Sequence, residues 1–97
     1  MELEIADIVV SRNGRYAGKR FFVVGLEDGE YALLADGRAR RIEKPKRKKL
    51  KHVKLESRGA DGRVSVKLRS GEKVTNSELR KSIAEYDAAR AAETGGA

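Results

Sequence analysis

The hydrophobic positions of this chain follow two different rhythms. In the first half, short apolar clusters alternate with turn residues. Leu3 and Ile5 alternate with Glu2 and Glu4, and Ile8-Val9-Val10 follows Asp7, which predicts a first strand. Ser11 to Gly18 is polar and carries two glycines, as an exposed loop should. Lys19 to Leu26 is β-branched and aromatic and apolar on both faces, the pattern of a nearly enclosed strand. Within it Phe21 and Phe22 point to opposite faces, one into the core and the other toward the open side of the fold or the C-terminal helix. Asp28-Gly29 precedes Tyr31–Ala35, and Asp36-Gly37 precedes Arg38–Ile42. Asp-Gly between apolar runs predicts tight hairpins, because both central positions take φ > 0. Pro45 then ends a fourth strand, Lys46 to Lys49 reads as a solvated charge run, and Leu50, Val53 and Leu55 supply one closing strand. Five short strands over residues 1–55 predict a mainly β fold, a small barrel of the SH3-like or OB type whose closure hides its edges.

The rhythm changes after residue 55. Residues 56–74 read as a linker with one short element at 63–70. Val64, Val66 and Leu68 alternate as in a strand, but Asp61 and Gly71 equally suit the cap and the stop of a helix. Residues 75–92 are predicted to be helical. Thr75 and Glu78 form a capping box, Val74 and Leu79 take the staple positions, and Leu79, Ile83 and Tyr86 make a stripe at i, i+4 and i+7. This stripe is an interaction face, for the chain's own sheet or for a partner protein. Residues 93–97 should fray.

Composition narrows the class. Ninety-seven residues make one domain, and 38% of them are charged, well above the usual quarter or so. Without cysteine there is no disulfide and no thiolate metal site. The apolar runs Phe21–Val24 and Tyr31–Ala35 fall far short of the roughly 20 residues a membrane span needs. The acidic start, Met1-Glu2-Leu3-Glu4, does not look like a secretory signal, so a soluble cytoplasmic protein is expected.

The distribution of charge says more than its sum. The formal net charge is +7, yet residues 1–37 carry −3, residues 38–54 carry +9 and residues 55–97 carry +1. The middle block contains Arg38, Arg40, Arg41, Lys44, Lys46, Arg47, Lys48, Lys49, Lys51 and Lys54 against Glu43 alone. Such crowding repels itself unless a polyanion or nearby acids compensate it. The loop at 11–20 adds Ser11, Arg12, Asn13, Arg15, Tyr16, Lys19 and Arg20. Arg and Lys neutralise phosphates, Ser and Asn bond phosphate or 2′-OH oxygens, and Tyr16 either stacks on an unpaired base or folds onto the barrel. His52, the sole histidine, lacks the neighbours a metal site requires and is assigned to RNA contact or structure. No Walker loop, paired-histidine motif or nucleophile with a base is present, so neither catalysis nor a cofactor is expected.

Residues 6–37 resemble the KOW motif of ribosomal proteins and NusG-type transcription factors. The likeness lies in Ala6-Asp7-Ile8-Val9-Val10-Ser11, in Ala17-Gly18-Lys19, in Phe22-Val23-Val24, and in Asp28 through Leu33-Leu34-Ala35-Asp36-Gly37. Gly18 matches the motif's nearly fixed glycine, whereas Ala6 stands where a glycine is common. Ala17-Gly18-Lys19 and Asp36-Gly37-Arg38 look most like large-subunit proteins of the eukaryotic and archaeal type. The whole chain, with Lys44-Pro45-Lys46 and Val74–Glu78, is similar to small bacterial KOW-domain RNA-binding proteins. The resemblance implies an SH3-like barrel that binds ribosomal or other structured RNA. The expected mechanism is backbone-dominated binding by the 11–20 loop and the 38–54 block. The alternatives are a protein-interaction module of the transcription or translation machinery, with Leu79 and Ile83 left exposed, and DNA binding, which a phosphate grip alone does not separate from RNA binding.

Overall fold

The computed structural model describes residues 2–58 and 62–95. The protein is mainly β: a five-stranded antiparallel sheet followed by two helices. The strands are β1 (Ile8–Ser11), β2 (Arg20–Glu27), β3 (Tyr31–Ala35), β4 (Lys46–Lys49) and β5 (Val53–Ser57), in the order β4-β3-β2-β1-β5. The expected closure into a barrel is not observed, since β4 and β5 stand at opposite edges without pairing. A 3-10 turn at Leu50–His52 carries the chain from one edge toward the other instead of folding it back as a hairpin. The turn is pinned at both ends, by Leu50 N–H donating to the Glu30 carbonyl and by Arg12 N–H donating to that of His52, both at 2.8 Å.

Two predicted strands are corrected. The first begins at Ile8 rather than at Leu3, because Asp7 Oδ2 accepts the Glu4 N–H at 2.8 Å and bends the chain there. Ala6 adopts φ +77 at this bend, a left-handed conformation that glycine takes without strain. The fourth strand is not Arg38–Ile42 but Lys46–Lys49, the run expected to be solvated. Asp36 Oδ1 accepts the N–H groups of both Arg38 and Arg40 at 2.9 Å, coiling that stretch into a loop. Pairing with β3, Lys48 opposite Ala32 and Lys46 opposite Leu34, makes a strand of a segment with no apolar residue. The β2–β3 connection is as expected, with Asp28 at φ 55 and Gly29 at φ 67.

Both faces of the sheet are packed. On one, Leu3, Val9, Phe21, Val23, Ala32, Leu34 and Val53 form a core that Tyr16, Leu50 and Leu55 border. On the other, Ile8, Phe22 and Ala35 meet Val64 and Leu79 from the helices and Val74 from the segment between them. Phe21 and Phe22 thus serve opposite faces as their adjacency requires, and both are buried.

The element at 63–70 is a helix, α1 (Arg63–Ser70), stopped by Gly71 in the left-handed conformation at φ 80. Its N-cap is Gly62, while Asp61 lies outside the described residues. The second helix, α2 (Asn76–Gly95), runs further than the predicted 75–92, and of its expected frayed end Gly96 and Ala97 lie outside the described residues. The capping box forms in both directions: Thr75 N–H donates to Glu78 Oε1 at 3.0 Å, and Glu78 N–H to Thr75 Oγ1 at 3.1 Å. Hydrogen bonding from Lys67, reinforced by the Thr75 N–H, lowers the Glu78 pKa to about 2.

The predicted interaction stripe is used within the molecule. Leu79 is fully buried, and Ile83 and Tyr86, partly buried, pack against the same cluster, so the stripe docks on the chain's own sheet. Tyr86 donates its hydroxyl to Glu56 Oε2 at 3.3 Å. Partial burial, together with the Glu56 charge, raises the pKa of its phenol.

Candidate nucleic-acid interface

The loop between β1 and β2 is short, polar and internally braced. Ser11 N–H donates to the Lys19 carbonyl at 3.3 Å, Gly18 N–H to that of Ser11 at 3.0 Å, and Ala17 N–H to that of Gly14 at 3.2 Å. Gly18 sits at φ +82, the conformation that reserves this position for glycine. Ser11 was expected to contact phosphate, but it is buried and donates its hydroxyl to the Asn13 carbonyl at 2.9 Å. Its role is to hold the loop. Tyr16 takes the folded alternative: its ring rests edge-on against Phe21, centroids 5.7 Å apart, and is half-buried.

Around Tyr16 the structure gathers cations from two segments. The groups of Arg15 and Lys19 lie 5.9 Å from its ring centroid, and that of Arg40 lies at 5.7 Å. Arg40 is brought there by the Asp36-centred loop, and its Nε is buried without a hydrogen-bond partner. A second link comes from β4. Lys48 Nζ donates to the Asn13 carbonyl at 2.9 Å, tying the loop tip to the charged edge strand. Asn13, Arg15, Tyr16, Lys19, Arg40 and Lys48 thereby meet on one rim, formed from segments that lie far apart in sequence, while Arg12 turns its side chain to the Val53 carbonyl and meets His52 through the backbone. Lys46 shares the Lys48 face of β4 by register, while Arg38, Arg41 and Lys44 project from the 36–45 loop next to it.

Other predicted residues are placed elsewhere. Arg47 faces away from Lys46 and Lys48. Its guanidinium stacks 3.6 Å over the Tyr31 ring and donates to Glu27 Oε1 at 2.8 Å. Lys49 and Lys51 border a separate hollow with Gly29, Glu30 and Leu50. Arg20, expected in the RNA-binding set, turns to the helical side. It reaches Asp87 at 2.7 Å and Glu56 at 3.7 Å, with Tyr86 under its guanidinium at 5.4 Å. Its job there is to fasten α2 to β2.

Electrostatic pairing separates these groups. Among the described residues, Arg47 is the one member of the ten-residue basic block that ion-pairs with a carboxylate. Glu43, the block's sole acid, accepts instead from the Asn76 side chain at the start of α2. The rim's cations therefore repel one another without internal compensation, a state that a polyanion relieves.

Two residues were not legible in the sequence. Asp7 is fully buried and holds Arg58 Nη1 at 2.9 Å, closing the N-terminal segment onto β5. Arg80, on α2, donates from Nη1 to the Gly37 carbonyl at 2.7 Å. Its spacing to Ile83, Ala84 and Asp87 marks a helix stripe that could have drawn notice. No protein-family model and no curated protein matches the chain. Among the described residues no helix is long and apolar enough to cross a membrane.

Proposed function

We propose that this is a non-catalytic, cytoplasmic RNA-binding protein of the KOW type that grips structured or ribosomal RNA mainly by its phosphate backbone. The observation that carries the reading is the uncompensated rim, in which the loop and the Lys46 and Lys48 face of the edge strand, joined by Lys48 and Asn13, present cations that have no carboxylate partner among the described residues. Lysine and arginine there neutralise phosphates and release condensed counterions, and the braced loop holds them at fixed spacing. The sheet is read as an SH3-like barrel left open between β4 and β5, which the strand order and the single 3-10 turn between those strands favour. Ala6 at φ +77, where KOW proteins commonly carry glycine, points the same way. Ribosomal or transcription-complex proteins are the neighbours such a module would have.

RNA binding by the purified protein at several salt concentrations, with matched DNA as competitor, tests the proposal. Six to ten phosphate contacts would lower affinity by roughly 10³ to 10⁵ between 50 and 200 mM salt. Preference for RNA over DNA would show contacts to the 2′-OH. Absent or salt-insensitive binding overturns the reading.

A further inference from the structure

A cleft of about 370 Å³ opens where the first half of α2 crosses the loops that precede β2 and follow β3. This volume lies within the range of small-ligand sites, roughly 300–1,000 Å³. Arg80, Ile83, Ala84 and Asp87 line it along one stripe of the helix, and Lys19 and Arg38 face them. Arg20 and Asp36 complete the wall.

Four cations outnumber two carboxylates here. Asp87 holds Arg20 at 2.7 Å, and Asp36 Oδ1 is taken by two backbone N–H groups. Arg80 anchors one Nη1 on the Gly37 carbonyl, which orients the guanidinium while leaving it further donors. Lys19 and Arg38 have no carboxylate partner among the described residues, and the Arg20 Nε is buried without a hydrogen-bond partner. Ile83 and Ala84 give the wall an apolar strip. Cationic donors above an apolar strip suit a phosphoryl group whose attached sugar or base lies on the strip. Lys19 belongs both to this cleft and to the cation group around Tyr16, so the cleft continues the rim.

We infer that this cleft holds a phosphate of bound RNA, extending the footprint from the 11–20 loop across to α2. The inference rests on the RNA-binding reading, and the free counterpart of the same chemistry is a small phosphorylated molecule. The test follows backbone amide NMR shifts of the full chain during titration with a single-stranded RNA oligonucleotide and, separately, with inorganic pyrophosphate. Both should move the Lys19, Arg38, Arg80 and Ala84 amides.

Arg38→Glu, which alters an exposed side chain, should weaken RNA binding about tenfold and lower the salt slope by roughly 1, with an unchanged melting temperature. Arg80→Gln should act in the same direction. If RNA moves the loop and β4 amides but not the cleft, and Arg38→Glu binds normally, the cleft site is overturned while RNA binding stands. If RNA fails to bind and pyrophosphate still shifts the cleft, the phosphoryl site stands with a free ligand, and the RNA footprint falls. Silence at the cleft with both probes overturns the inference outright.

Discussion

The helix-covered side of the sheet and its charged rim carry basic residues of the same kinds, but treat them in opposite ways. On the helical side, Arg20 pairs with Glu56 and Asp87, Lys67 with Glu78, and Arg90 with Glu56. Arg58 closes the N-terminal segment on Asp7 and Glu4 in the same manner. On the rim, the cations of Arg15, Lys19 and Arg40 meet the Tyr16 ring and that of Lys48 a backbone carbonyl, and none of the four pairs with a carboxylate among the described residues. A cation matched by an acid serves the fold. A cluster without one is held in place by the fold at an electrostatic cost, and that cost is recovered when an anion arrives. Net charge alone would have treated both groups alike.

The contrast breaks most visibly at Leu79. Truncation to alanine beneath α2 should cost about 2–5 kcal/mol in urea unfolding, while the folded fraction keeps its RNA affinity and salt slope. A changed salt slope in Leu79→Ala would mean that the two sides are not separable. The reverse experiment combines Arg15→Glu, Arg41→Glu and Lys46→Glu. It should weaken RNA binding about a hundredfold or more and flatten the salt slope by roughly 2–3, with little loss of stability. An accompanying collapse in stability would show that the rim cations are structural after all.

Smaller effects sharpen the helical side. Thr75→Ala removes one half of the capping box and should cost about 1 kcal/mol in thermal or urea unfolding. Glu78 adds a pH signature. Its pKa in the folded state, about 2, lies below the ordinary 4.5, so its stabilising contribution is full above pH 4.5 and is lost as pH falls toward 2. The stability gap between the native chain and Glu78→Gln should therefore be widest near neutrality and close across that acid window. A gap that stayed constant would rule out ionisation as its source. Ala6→Gly should be the mildest change. Relief of a left-handed φ, about 1–2 kcal/mol, is offset by loss of a buried methyl group, about 0.8 kcal/mol, and by glycine's extra freedom in the unfolded chain, about 0.5–1 kcal/mol, leaving the unfolding midpoint nearly unchanged.

Local chemistry was readable where the partners are close in sequence. Asp28-Gly29, the Thr75–Glu78 box and the Leu79–Ile83–Tyr86 stripe each declare themselves within a few residues. Reading failed where a remote partner decides. Asp36 looked like a hairpin residue, but its carboxylate coils the next four residues, and Ile42 packs with the helix-side cluster rather than on a strand. Lys46–Lys49 shows no periodicity, since β3 supplies the apolar half of that pairing. The candidate site was half legible. The charge block and the loop were visible, but not the diversion of Arg20 to Asp87, the spending of Ser11 on Asn13, or the arrival of Arg80 from α2.

β4 is an edge strand built wholly of lysine and arginine. Exposed edges invite pairing with another copy, which would set two such rows within about 5 Å of each other. Like charges at that spacing keep solitary copies apart, so the edge guards itself against self-association. That protection is conditional. Once a polyanion screens the row, adjacent copies on one strand of phosphates lose their mutual repulsion, and crowding along the polymer becomes easier than crowding in solution.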